Sequence, residues 1–346
     1  MVMEKNEIPS MTPFPLVLKV LGDGCNLVAN NAKLMILPVF LDLILLFGPR
    51  LRIAEYFGPM FESAYSQMIA SVPKAAAAQL EMAQALLLDF LDSINLFGMI
   101  QIFPIGVRLL NSSGSSVTPL GTAASYEMHS ILQIIPVMII MMVLGVLIGT
   151  LYFSITALTA AREGKFTFGK FGKQLLNTVL FYLAMIILLA LLFVPVSCVL
   201  TFSFMAVPFL YQIIMILIIA AGCWLTIPLF FIPHGIFVKH FDLTEAVKES
   251  ISLSSWSGPL TIRFIIFSIV LSMGLDLIWA IPEQNSWLIL ISIFGHAFIS
   301  TALLAASFLL FTELEKWQAD NQEFLTWRKA NLRINKLFKK EPEQHD

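Results

Sequence analysis

The apolar residues of this chain fall mainly in long unbroken runs, not in the alternation of half-buried strands. A helix rises about 1.5 Å per residue and a bilayer's hydrocarbon core is about 30 Å thick, so about 20 apolar residues cross it. Six runs approach that length, at about 31–47, 131–157, 175–200, 208–232, 262–281 and 287–311. The first, "NAKLMILPVFLDLILLF", is the shortest and carries Pro38 and Asp42. Lipid offers no hydrogen-bond partners, so a spanning segment satisfies its own backbone, which makes these runs helices. The predicted fold is an all-α polytopic transmembrane helix bundle of six spans.

Several shorter patterns lie between and beside the runs. From Ile53 to Val72 the apolar residues sit at 53, 57, 60, 61, 64, 65, 68, 69 and 72, one helical face. Pro59 and Pro73 suit first-turn positions and would split this segment into two helices. The run "ALLLDFLDSINLFGMIQIFPIGVRLL", 85–110, is long enough to span but holds Asp89, Asp92, Asn95 and Pro104. It reads as an amphipathic or re-entrant helix against the bundle. Read as a span, it gives a rival arrangement of seven spans with the N terminus outside. "NSSGSSVTPLG", 111–121, reads as a loop. Residues 1–30 predict an interfacial helix with Leu16, Val17, Val20, Leu21, Leu27 and Val28 towards lipid, broken at Gly22 and Gly24. After Phe311, apolar residues spread among charges of both signs predict an extension of the last span and then a basic surface helix.

The polar interlude "HFDLTEAVKESISLSSWSGPLTIR", 240–263, predicts an amphipathic elbow. Asp242 caps a helix, and Glu245 three residues later completes a capping box. Leu243, Ala246, Val247, Ser250, Ile251 and Ser254 share one face, Lys248 and Glu249 point away, and Gly258-Pro259 ends the helix. Lys239, His240, Asp242 and Glu245 then form the solvated rim of a surface helix rather than an acid–base site.

Composition strengthens the membrane reading. Of 346 residues, 58% are hydrophobic and 13% charged, with a mean hydropathy of +0.84. Soluble domains carry about 25% charged residues, so this chain could not cover its own surface in water. The net charge of −2 matters less than its distribution. Arg162, Lys165, Lys170 and Lys173 crowd one loop, and seven Lys or Arg follow Phe311, whereas "TFSFMAV" and "PEQNS" hold none. The positive-inside rule then puts 161–174, 234–263 with Lys248, and both termini in the cytoplasm, and 48–130 outside. The expectation is a multi-pass protein of a prokaryotic cell membrane. Its partners would be the bilayer, with anionic headgroups at the cytoplasmic face, and another membrane protein or a second copy, but not nucleic acid. Three scattered cysteines give no disulfide framework or metal spacing. The first 27 residues show no signal peptide.

Three stretches carry a resemblance. "LTEAVKESISLSSWSGPLTIRFIIFSIVL", "LYFSITALTAAREGKFTFGKFGKQLLNTVL" and "GCNLVANNAKLMILPVFLDLI" resemble membrane proteins related to the membrane domain of glycerophosphoryl diester phosphodiesterases. The resemblance covers about 131–311 and the N terminus, not the insert at 50–130. In the fused members hydrolysis belongs to a separate soluble domain, which has no counterpart here, so the resemblance implies no catalytic residue.

The candidate chemistry lies inside the spans. Asp42, Asp276 and His296 are ionisable groups within predicted helices. An ionised Asp at a helix centre costs about 2.5–3.5 kcal/mol on insertion scales, so it faces protein or water. They read either as separate interhelical hydrogen bonds or as a proton, cation or headgroup path, with Asp276 and His296 as a pair. No phosphate-binding loop, serine-hydrolase elbow or zinc-protease motif is present, and no cofactor is expected. "GVLIG", 145–149, lets helices pack closely. Two functions follow: a non-enzymatic protein organising lipids and other membrane proteins, or a permease-like carrier of a small or lipidic substrate past Asp42, Asp276 and His296. A polar cavity open to one side and lined by those three residues would favour the second, a solid apolar bundle the first.

Overall fold

A computed structural model describes residues 12–110, 117–162, 164, 166–206 and 208–327. The chain begins with α1 (Val17–Asn30), a 3₁₀ turn (Ala32–Met35) and α2 (Ile36–Phe47). An insert follows, with β1 (Arg50–Arg52), α3 (Ala54–Ser71), α4 (Lys74–Ser93), a 3₁₀ turn (Leu96–Ile100), β2 (Val117–Thr118), β3 (Gly121–Thr122) and β4 (Ser125–Glu127). The bundle is completed by α5 (Ile131–Ala161), α6 (Phe168–Ala206), α7 (Pro208–Phe230), α8 (Ile232–Val238), α9 (Leu243–Trp279) and α10 (Ile289–Asp320). Among the described residues five helices are long and apolar enough to cross a membrane, and the pair α1–α2, bent by 92°, makes a sixth if it counts as one span. Large apolar side chains such as Leu132, Leu191, Val270 and Leu277 stand outward along these helices. So much exposed hydrocarbon is stable only against lipid, and the molecule is an all-α integral membrane protein.

The N-terminal helix departs from expectation. It runs unbroken through Gly22 and Gly24, and the bend falls at Asn31 instead. Its buried side, Val17, Val20, Leu21, Gly24 and Val28, faces α10 rather than lipid. Small residues explain this: a Cβ on Gly24 would lie 2.5 Å from the Ala302 carbonyl oxygen and 2.7 Å from the Ala306 Cβ. Only a glycine lets the two backbones come that close. Phe14 stacks on Trp317 with centroids 4.1 Å apart, and the Trp317 indole donates to the Thr12 carbonyl at 2.9 Å.

The elbow keeps its predicted capping box, with the Glu245 carboxylate accepting from the Asp242 N–H at 3.3 Å. It is not a separate helix, however, because α9 passes through Gly258 and Pro259 into the fifth apolar run. A proline costs a helix one backbone bond, and packed neighbours in a membrane bundle offset that cost. Ile251, expected on the inner face, is exposed, and burial continues along Ala246, Ser250, Leu253, Ser257, Leu260 and Phe264. The same face repairs a neighbour. Pro228 and Pro233 interrupt the helical ladder between α7 and α8. There the Ser250 hydroxyl donates to the Pro228 carbonyl at 2.6 Å and accepts from the Phe231 N–H at 3.2 Å. Ser254 donates to the Ile227 carbonyl at 3.0 Å. Serines thus satisfy backbone groups that no lipid can.

Two smaller expectations also change. Pro59 lies within α3 without splitting it, and residues 201–206 of the expected loop "TFSFMAV" continue α6. The segment 85–110 is not one helix: α4 stops at Ser93, and after the 3₁₀ turn residues 101–110 run without regular structure. Ile105, Val107 and Leu109 of that stretch are buried. The glycines of "GVLIG" make room for it. A Cβ on Gly145 would sit 2.6 Å from the Ile100 carbonyl oxygen, and one on Gly149 2.3 Å from that of Ile105. The close approach expected of a small-residue pair is therefore to an irregular strand of the same chain, not to a helix. Non-helical backbone inside a membrane bundle needs partners. The Tyr182 hydroxyl supplies two, donating to the Ile105 carbonyl at 2.7 Å and accepting from the Ile105 N–H at 3.2 Å.

Candidate functional site

The irregular strand brings the intramembrane polar residues together. Asp42, fully buried on α2, accepts from the Leu110 N–H at 2.8 Å and so anchors the strand's end. Two residues back, the Arg108 guanidinium donates to the Asp276 carboxylate at 2.6 Å and to the Ser272 hydroxyl, both on α9. The other Asp276 oxygen meets Nδ1 of His296 on α10 at 3.3 Å. Asp276 and His296 are therefore adjacent, and Asp42 joins them only through the strand. Arg108 is the member sequence reasoning passed over. Its signal was available: it is the sole Lys or Arg between Lys74 and Arg162 and closes an apolar run. Half of its side chain is exposed, whereas the His296 side chain is 5% exposed.

Beside this cluster the bundle holds a half-open cavity. A cavity of about 530 Å³ is walled by Phe103, Pro104 and Gly106 of the strand, Tyr152 and Phe153 of α5, and Phe181 and Met185 of α6. Leu229, Phe230 and His234, then Phe264, Ser268 and Ile269, then Ser300, Leu304 and Ser307 complete it, and Arg108 lines it too. The volume is that of a small-molecule site, and the lining is overwhelmingly hydrocarbon. His234 stands at the far end among aromatic rings, 4.9 Å from Phe308 and 5.8 Å from Phe311 between centroids. Its Nδ1 faces the Phe230 carbonyl at 3.1 Å, and a carbonyl only accepts, so Nδ1 carries the proton. Nε2 lies 2.9 Å from the Ser307 hydroxyl oxygen, which also reaches the Leu304 carbonyl at 2.7 Å. Both nitrogens are occupied, which leaves the cavity's deep end apolar.

The expected basic surface lies at the opposite end of the helices from Asp276. Arg162 ends α5 in a left-handed conformation, Lys170 and Lys173 stand within the first two turns of α6, and Lys248 on the second turn of α9. Lys165 lies outside the described residues, as does the basic stretch from Arg328 onward. Lys173 pairs with Asp242 at 3.1 Å, and Lys239 with Glu315 at 3.1 Å. Leu243 N–H donates to Asn177 at 3.0 Å. Lys239 and Asp242 thus serve to pin the elbow to α6 and α10. The chain matches no protein-family model, no curated protein and no solved structure.

Proposed function

We propose that this is a non-enzymatic membrane protein that takes a lipidic molecule into its helix bundle. The observation that carries the reading is the 530 Å³ cavity with its apolar wall. A scaffold needs no hollow, and a path for a small ion would be lined by polar groups. An unfilled apolar cavity of this size forfeits dispersion contacts along its wall, and hydrocarbon restores them. The lining favours a lipidic over a small polar substrate, and the absence of Asp42, Asp276 and His296 from it supports their building the site rather than conducting. The charge distribution supports a cell-membrane protein with both termini cytoplasmic and the face of Arg162, Lys170, Lys173 and Lys248 towards anionic headgroups. The three elbow and loop stretches keep relatedness to the phosphodiesterase membrane domains as part of the proposal. The test is native mass spectrometry of the full chain purified in mild detergent. Wild type should retain a lipid adduct, and Leu304→Trp, which projects an indole into the cavity, should lose much of it. Equal adducts in the two proteins would refute the reading.

A further inference from the structure

The cavity is chemically directional. Arg108 lines one side, and the far end holds Phe153, Phe230 and Phe264 around a His234 whose nitrogens are engaged. Resting on the lipid reading above, we propose that the occupant is a phospholipid. One acyl chain fills the cavity, and its phosphate lies on Arg108.

Three observations argue for this. First, a guanidinium has five N–H donors in a fork that matches phosphate oxygens. Asp276 and Ser272 take one nitrogen each, and the rest of the half-exposed side chain is open to a ligand. Asp276 also divides its carboxylate with His296, so it does not seal the cation. Second, the depth is right for a headgroup. Asp276 is less than a turn from the end of α9 at Trp279, and the exposed Trp287 lies in the same connection. Tryptophans gather at membrane interfaces, where phosphates also sit. Third, the cavity is long enough for an acyl chain. From the level of His296 to that of Ser307 along α10 is about 16 Å, room for much of one extended acyl chain.

The test uses the purified full-length protein offered phosphatidylglycerol, diacylglycerol with the same chains, and the free fatty acid, with adducts read by native mass spectrometry. Wild type should retain the phospholipid about tenfold over the other two, the scale of one charge-assisted hydrogen bond. Arg108→Gln/Asp276→Asn, which leaves no lone charge, should bring the three to parity while still binding lipid. Arg108→Lys should keep part of the preference. Retention of diacylglycerol or fatty acid equal to phospholipid by wild type would overturn the proposal, and so would a preference that survives the double substitution. An adduct abolished by Leu304→Trp but blind to headgroup overturns the phosphate assignment alone. The absence of any adduct overturns the lipid reading as well.

Discussion

At the scale of single residues, the cluster at Arg108 shows why intramembrane charges come in sets. A lone arginine or aspartate in hydrocarbon is costly, but Arg108, Asp276, Ser272 and His296 hold one another within hydrogen-bond reach. The pair is only partly enclosed, because Arg108 keeps half its side chain exposed, so its worth lies between that of a surface and a buried ion pair. Asp276→Asn should therefore cost about 1–2 kcal/mol, read as a fall of a few degrees in the melting temperature in detergent. An unchanged melting curve would mean that Asp276 does not hold the strand. Asp42 is the more demanding anchor, since it is fully buried against the Leu110 N–H. Its position beneath the strand explains a carboxylate in the shortest and weakest apolar run.

At the scale of elements, what was legible in the sequence follows from what leaves a periodic or compositional trace. The apolar runs became helices because lipid permits little else, and the capping box at Asp242 formed because its two donors have no other local partners. The pairing of Asp276 with His296 was legible as two ionisable groups in neighbouring spans. The strand 101–110 was not, because its backbone follows no period and its partners, Tyr182, Asp42 and the glycines of α5, are far away in sequence. The continuity of α9 through Pro259 was hidden for the same reason: long-range packing overrides a local stop signal. These glycines give a sharp test. Gly149→Ala would drive a Cβ to 2.3 Å from the Ile105 carbonyl oxygen, whereas Gly222 has nothing within 4 Å. The first should destabilise by about 1–3 kcal/mol and the second stay within a few tenths or gain slightly. Thermal melting of both variants separates them, and equal effects would contradict the packing of the strand against α5.

At the scale of the whole molecule, two features face opposite ends of the helices: the basic rim of Arg162, Lys170, Lys173 and Lys248, and the tryptophan-bounded end where Arg108 meets Asp276. Membrane-impermeant maleimide should label cysteines at Lys170 and Lys248 from one side, and a cysteine at Glu283 from the other. Labelling of all three from the same side would contradict the orientation. Between those ends lies the cavity on which the functional account depends. The most direct test is photolabelling in a bilayer with a phospholipid carrying a diazirine near the end of one acyl chain. Label recovered on cavity residues such as Met185, Leu304 and Phe264, and lost in Leu304→Trp, is the predicted result. Label confined to outward side chains such as Leu191 and Val270, with the cavity residues untouched, would contradict it.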